Sequence, residues 1–387
     1  MGVQHRMDHR FDTIVIGLGG MGASAAYHLA TRGAKVIGFD QYEPAHNRGS
    51  SHGASRIIRQ AYYEHPSYVP LLLRAYDLWR KLERDSGDEN LLQITGGMYF
   101  GAPDSDTVSG SMRSAVQYNL PHELLDSAEI SRRYPVFRAR PDEVAVWEHN
   151  AGFVRPERAI QACLQQATRH GAMLHFNEPV SGWEVTAART VRVTTSRGSY
   201  ECASLVLTPG PWTPHMFPDL TIPLAVQRHV MAWFDPVGGI GPFMPDRFPI
   251  YLWENNLHSI FYGFPAINGP AGGAKIAMHT GGEVCTPESI DRTTRPHDEN
   301  ELREQMAERL PALNGPLLTA CTCMYTMTPD QHFVAGLHPS HSQVAMACGF
   351  SGHGFKFAPV IGEILADLAL AGDTAHPIDF LSPQRFS

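Results

Sequence analysis

The chain has 387 residues, 43% of them hydrophobic, which is enough to bury a large core and long enough for two domains or one elaborate one. Its formal charge of −8, carried without a basic run, argues against nucleic acid and anionic membrane surfaces as partners. No apolar run approaches the ~18–20 residues of a membrane span, and the first ten residues (MGVQHRMDHR) are too polar for a signal peptide, so a soluble cytoplasmic protein is expected.

Phe11 to Ile16 reads as a buried strand, and Gly17-Leu18-Gly19-Gly20-Met21-Gly22 as the tight turn opening a helix from about Ala23 to Thr31. A pyrophosphate would sit on the N–H groups at that helix start. The next strand, Lys35 to Asp40, ends on a carboxylate where ribose hydroxyls are bound, so Gly17, Gly19, Gly22 and Asp40 make a dinucleotide fingerprint. FAD and NAD both use this unit.

A polar loop, Glu43 to Ser55, then leads into Arg56-Ile57-Ile58-Arg59, whose arginines would share a face if the turn is helical. Ser67 is the expected N-cap of a helix with Leu71, Leu72, Ala75, Leu78, Trp79 and Leu82 as its apolar stripe. Leu92 to Phe100 reads as one strand. A helix from about Pro156 to His170, a strand Ala172 to Phe176, and paired strands Val191–Thr195 and Tyr200–Thr208 follow, the last running into Gly210-Pro211-Trp212. From Pro223 to Thr328 alternating segments predict a largely antiparallel sheet.

Within that sheet a strand over Lys275 to His279 puts Lys275, Ala277 and His279 on one side and Ile276 and Met278 on the other. Alternation alone leaves open whether the Lys/His side meets a cavity or solvent. The last strand, Gln343 to Cys348, runs into Gly349-Phe350-Ser351-Gly352-His353-Gly354-Phe355-Lys356-Phe357 and a helix from about Pro359 to Ala371 with Gly372 as C-cap. The expected fold class is mixed α/β. A discontinuous Rossmann-like dinucleotide domain (1–90, 150–222, 325–387) is interrupted by a second, mainly antiparallel-sheet domain (91–149, 223–324). Six scattered cysteines, including Cys321 and Cys323, fit neither a disulfide framework nor a zinc site, so no metal is expected.

Several motifs in order resemble one family, the FAD-dependent amine oxidases that include monomeric sarcosine oxidase and N-methyltryptophan oxidase. They are Gly17 to Gly22, Gly49 to Arg59, Tyr262-Gly263-Phe264-Pro265, Lys275 with His279, Cys323-Met324-Tyr325-Thr326, and Gly349 to Phe357. The resemblance implies FAD held through a Cys323 thioether, with Gly17, Gly19, Gly22, Asp40, Ser50, Gly210, Trp212, Gly352, His353, Gly354 and Lys356 around it. It implies a small-molecule substrate, a secondary N-methyl amino acid such as sarcosine, oxidised to an imine that hydrolyses to amine and aldehyde while O2 becomes H2O2. It also implies a monomer.

By the same resemblance Arg59 and Lys356 bind the substrate carboxylate, as a guanidinium fork and an ammonium point charge suit. Tyr262 and Tyr325 line the pocket, which Tyr251 and Trp253 would narrow. Lys275, Arg56, His279 and His52 are the catalytic set, with Lys275 supplying fixed positive charge where oxygen gains electrons. Two departures from the family pattern stand out. Ser51-His52-Gly53-Ala54-Ser55-Arg56 replaces the usual His-His-Gly-Asp-Thr-Arg, and the loop Asn268 to Gly273 is a longer connection. Rival readings are an FAD dehydrogenase with a non-oxygen acceptor, an NAD-dependent dehydrogenase, and a non-catalytic flavin-binding subunit of a larger oxidase.

Overall fold

The strand Arg10–Ile16, buried from Thr13 onward, lies inside a sheet, parallel to Gly198–Leu207 on one side and to Val36–Phe39 on the other. A computed structural model describes residues 10–217, 220 and 222–386. Residues 1–9, 218, 219, 221 and 387 of the expected domain segments, which include all of the polar N-terminal stretch but Arg10, lie outside them. Met173–His175 extends this sheet at one edge and His341–Cys348 pairs in parallel with Gly198–Leu207, giving a parallel centre. Helices cover it, as parallel sheets require. Gly20–Thr31 packs against Pro156–Arg169 and the C-terminal helix Ala358–Ala371, where Gly362 lets the two backbones meet at Ser24. Gly372, left-handed at φ 76°, ends the last helix as the sequence predicts.

A second sheet joins, in order, Glu283–Cys285, Ala225–Phe234, Ala274–Met278, Ile260–Phe264, Ile250–Glu254, Gly97–Gly101, Val144–Glu148 and His122–Asp126, with Leu317–Met327 also on Ala225–Phe234. All its pairings are antiparallel except Ile250–Glu254 with Gly97–Gly101. One face of this sheet packs an aromatic core of its own, with Phe100, Phe137, Phe248, Tyr251, Trp253 and Phe261 around Ile276. The other face looks toward the dinucleotide layer. The mixed α/β class is therefore what the sequence leads one to expect.

Three local expectations differ. Arg56–Ile58 is a strand, not a helical turn, because it pairs with Gly152–Val154 in a small third sheet. Arg59 lies just beyond the end of this strand, so helical spacing is not what relates it to Arg56. Leu92 to Phe100 is broken at Gly96, whose φ of 74° is left-handed and whose missing side chain makes room for Trp147. Leu92–Ile94 therefore joins the third sheet while Gly97–Gly101 joins the second. Ser67 is not the N-cap of the helix Val69–Ser86. A 3-10 turn, Pro66–Tyr68, precedes that helix, and His65 caps the turn by accepting from the Ser67 N–H at 3.2 Å.

Among the described residues no helix is long and apolar enough to cross a membrane, and no cluster of three or more His, Cys, Asp or Glu side chains is arranged to hold a metal ion.

Candidate active site

Two adjoining cavities lie between the layers, one of ≈ 270 Å³ and the other of ≈ 50 Å³. The larger is a cleft over the carboxyl ends of the parallel strands, the usual ligand position in an open α/β sheet. Gly17, Gly19, Asp40, Ser50, Gly210, Trp212, Gly352 and Gly354 line it. Its glycines are there for space. Gly17, at φ 85°, and Gly22 are pressed together with Thr208, so that a side chain on either would strike backbone. Gly22 thus shapes the turn from beneath. Gly19 faces open space, with no atom within 4 Å of where a Cβ would be. Asp40 is oriented by two backbone donors, Leu18 N–H at 2.8 Å and Tyr42 N–H at 3.0 Å. An open glycine surface at a helix start and a fixed carboxylate across from it fit a dinucleotide pyrophosphate and ribose.

The smaller cavity is a recess lined by Arg56, Ile57, Arg59, Glu64, Leu252, Tyr262, His279, Tyr325, Gly352, His353, Phe355 and Lys356. Arg56, Tyr325, Gly352 and Phe355 line both cavities, so the recess adjoins the cleft. The Gly349 to Phe357 turn divides its side chains between them. Its glycines face the cleft, whereas His353 and Lys356 face the recess; this agrees with the substrate-binding place expected of Lys356 but not with the cofactor contacts expected of both residues.

Arg59 is 1% exposed and both terminal nitrogens of its guanidinium are hydrogen-bonded. It donates to Glu64 at 2.7 and 2.5 Å and to the Ala61 carbonyl at 3.1 Å, and lies 4.1 Å from the Tyr62 ring. Burial alone would raise the Glu64 carboxyl, yet Arg59, His353 and Lys356 hold it down to about 2. Lys356 donates to the His353 carbonyl at 2.6 Å, and burial together with Arg59 lowers its ammonium to about 7. The His353 ring bridges Tyr62 OH at Nδ1 (2.5 Å) and the Gln331 carbonyl at Nε2 (3.0 Å). Burial lowers its pKa to about 4, and burial with nearby His353 takes His279 to about 3, so both are neutral near pH 7.

Tyr262 and Tyr325 face each other across the recess with hydroxyls 3.4 Å apart. Tyr325 lies between Gly352 and the ring of His229, which stacks on it at 3.9 Å. Leu252 supplies the wall on the neighbouring strand. Tyr251 and Trp253, expected to narrow this pocket, point to the opposite face into the aromatic core, since adjacent residues of a strand alternate.

Behind Arg56 sits a compact polar cluster. Arg56 donates to the Ser50 and Ser55 carbonyls, each at 2.9 Å, and lies 3.4 Å from Cys323 Sγ. Cys323 is 1% exposed and borders the cleft through Ser50, 3.6 Å away. Lys275, also 1% exposed, donates to the Gly53 and Ser55 carbonyls at 2.9 and 2.8 Å, under the ring of Phe264. Burial, then the Arg56 charge, pushes its pKa well below an ordinary lysine's. His52 is buried with its Nε2 unpartnered, and burial and Arg56 lower it to about 3. The alternation in Ala274–Met278 thus resolves toward the interior, with Lys275 in this cluster, His279 at the strand's end in the recess, and Ile276 in the opposite core.

The profile described as FAD dependent oxidoreductase matches residues 12–368. The chain belongs to that family. Among curated relatives, the oxidoreductase is 53% identical over 382 residues to a monomeric sarcosine oxidase of Streptomyces avermitilis, covering 98% of this chain and 99% of that protein. It is 35% identical to an N-methyl-L-tryptophan oxidase of Yersinia pestis (strain Pestoides F), covering 95% and 97%. Among solved structures, the open form of the amino acid oxidase NikD superposes with a TM-score of 0.84 at 24% identity over 97% of each chain, a likeness of fold. The oxidoreductase is thus grouped with the sarcosine and N-methyltryptophan oxidases, the family its motifs resemble.

Sequence reasoning missed Glu64, Glu157, His229 and Leu252. Glu157, in the first turn of Pro156–Arg169, accepts from the Gly53 and Ala54 N–H groups. None of these residues carries a local motif. Only the parity of Leu252 with Tyr251 and Trp253 signals which of the three faces the recess.

Proposed function

We propose that this FAD-dependent oxidoreductase oxidises a small secondary N-methyl amino acid, such as sarcosine, to an imine that water converts to the primary amine and an aldehyde. FAD, when bound, supplies the two-electron acceptor and returns the electrons to O2, releasing H2O2. The observation that carries this reading is the junction of the two cavities, where a small cationic recess adjoins a cleft built for a dinucleotide.

Arg59 and Lys356 take the substrate carboxylate, Arg59 by exchanging at least one of its Glu64 contacts. Tyr262, Tyr325 and Leu252 enclose the methyl group and exclude water. With His279 and His353 neutral, the substrate nitrogen meets no permanent positive charge from them and can lose its proton. Lys275 and Arg56 supply fixed positive charge on the other side of the junction, where negative charge grows as oxygen is reduced. Cys323 is the proposed point of covalent attachment, with Arg56 beside its sulfur to favour the thiolate. The proposed domain division gives one large sheet to each domain, except that the strand Leu317–Met327 straddles its boundary at 324/325, and the protein is proposed to act as a soluble monomer in the cytoplasm.

The experiment is turnover of sarcosine by the purified holoenzyme with simultaneous oxygen and peroxide measurement. One peroxide per oxygen consumed is expected, and a turnover that needs an added electron acceptor and yields no peroxide would favour a dehydrogenase instead. Arg59→Ala or Lys356→Ala is expected to lose ~2–5 kcal/mol of transition-state stabilisation, and near-parental kcat/KM in either would remove that residue from the clamp.

A further inference from the structure

The turn Gly53-Ala54-Ser55 is held from two directions by opposite charges. On one side the Glu157 Oε1 accepts from Gly53 N–H at 2.6 Å and Ala54 N–H at 3.1 Å. On the other, Lys275 Nζ donates to the Gly53 carbonyl at 2.9 Å and to the Ser55 carbonyl at 2.8 Å, and Arg56 donates to that same Ser55 carbonyl at 2.9 Å. The Gly53 carbonyl and the Ala54 N–H belong to a single peptide group. That peptide therefore lies in line between the Lys275 ammonium and the Glu157 carboxylate, and each hydrogen bond polarises it in the sense that strengthens the other.

The backbone of the turn is unusual in the way such an arrangement needs. Gly53 has φ 95°, and a side chain there would meet Met231 Cε at 2.6 Å. Ala54, with a side chain, is nevertheless left-handed at φ 66°, a conformation costing an L-residue about 1–2 kcal/mol. Something must hold it there, and Glu157 bonds to its N–H. The carboxylate comes from the first turn of the helix Pro156–Arg169, where the helix dipole favours a negative charge.

We propose that Glu157 is a positioning residue for the buried cations Lys275 and Arg56, acting through the 53–55 peptides to fix the Lys275 ammonium and keep it charged inside the protein. The groups facing Lys275 are Arg56 from Arg56–Ile58, the His52 ring from the loop before it, the Cys321 and Cys323 thiols of Leu317–Met327, Glu157, and the rings of Phe264 and Trp233. Burial and Arg56 work against the ammonium, while Glu157 and the two sulfurs work for it. Glu157 is the one carboxylate in that set, and its effect reaches the amine along a hydrogen-bonded path. This deepens the reading above, since it rests on Lys275 standing beside the flavin.

The test compares the parent holoenzyme with Glu157→Gln, Glu157→Ala and Lys275→Met by titrating the visible flavin spectrum of the resting protein across the pH range in which it stays folded. Gln keeps an acceptor oxygen and the side-chain volume but removes the charge. The Lys275-dependent spectral transition is expected to move down by roughly one pH unit in Glu157→Gln, a tenfold change in the ammonium-to-amine ratio, and to vanish in Lys275→Met. A downward shift at least as large is expected in Glu157→Ala, and if that variant does not fold, Glu157→Gln decides alone. A Glu157→Gln spectrum that titrates as the parent does, or that shows no transition alongside a parent with none, overturns the proposal, as does a transition retained in Lys275→Met. A holoenzyme that turns over sarcosine while Glu157→Gln titrates as parent defeats this inference only, whereas failure to oxidise any secondary amino acid defeats the functional reading and leaves the titration legible.

Discussion

Arg59 and Glu64 form a buried two-pronged ion pair, at 2.7 and 2.5 Å, in the wall of the recess that would receive a substrate carboxylate. If Arg59 receives a guest carboxylate as proposed, Glu64 is the internal carboxylate that competes with it. Glu64→Gln is therefore expected to bind a simple carboxylate inhibitor several-fold more tightly, since the guest no longer competes with a resident anion. The same change leaves a buried guanidinium short of its partner and should cost about 3–5 kcal/mol of stability. Spectral titration of the holoenzyme with the inhibitor, paired with denaturant unfolding, checks both; unchanged affinity would mean that Arg59 does not meet the guest.

Lys356 predicts a pH dependence with a definite sign. Burial and Arg59 bring its pKa down to about 7, so it is charged below that pH and neutral above it. Carboxylate affinity should fall as pH rises through about 7 and level off beyond. His353 and His279, at about 4 and about 3, are neutral on both sides of that window and contribute no slope. Inhibitor dissociation constants measured from pH 6 to 9 should show the fall in the parent and a flat line in Lys356→Met; a flat parent would contradict the assignment.

Cys323 gives a chemical test. The parent protein precipitated in acid is expected to keep its yellow colour in the pellet, and Cys323→Ser to release it to the supernatant. Cys321, two residues away on the same strand, is the control. Its thiol is pushed up to about 11, chiefly by burial, which disfavours the thiolate that attachment needs, so Cys321→Ser should keep the colour. Colour lost with Cys321 instead of Cys323 would exchange their roles.

His229 fixes Tyr325 from behind, with ring planes 26° apart and centroids at 3.9 Å. Burial lowers its pKa to about 3, so the stacked ring stays neutral. His229→Ala should loosen the tyrosine and cost about 1 kcal/mol, roughly fivefold in kcat/KM, whereas His229→Phe keeps the stack and most of the activity. Steady-state kinetics of the two variants decide this, and equal losses in both would mean that something other than stacking is at stake.

What the sequence makes legible is what the chain encodes locally. Gly17 to Gly22 and Asp40 are positioned by a strand, a turn and a helix contiguous with them, and the Gly349 to Phe357 turn is readable for the same reason. Arg56 to Arg59 misleads because its conformation is set by a partner nearly a hundred residues away, Gly152–Val154, and nothing local marks that pairing. Gly96 shows no sign in the alternation of its neighbours, since its requirement comes from Trp147 across the chain. Glu64 and Glu157 read as ordinary surface acids until their partners arrive. Tyr251 and Trp253 fail by a single residue of parity, which in a strand is the difference between a pocket wall and the opposite core.

The sharing of walls has a consequence for how such a protein can diversify. Arg56, Tyr325, Gly352 and Phe355 border both cavities, so a substitution at any of them is felt by guest and cofactor at once. Leu252, Tyr262 and His279 border the recess alone. A lineage acquiring a bulkier or more polar guest has its freedom at those three positions, and the four shared ones form the hinge of conservatism around which they vary.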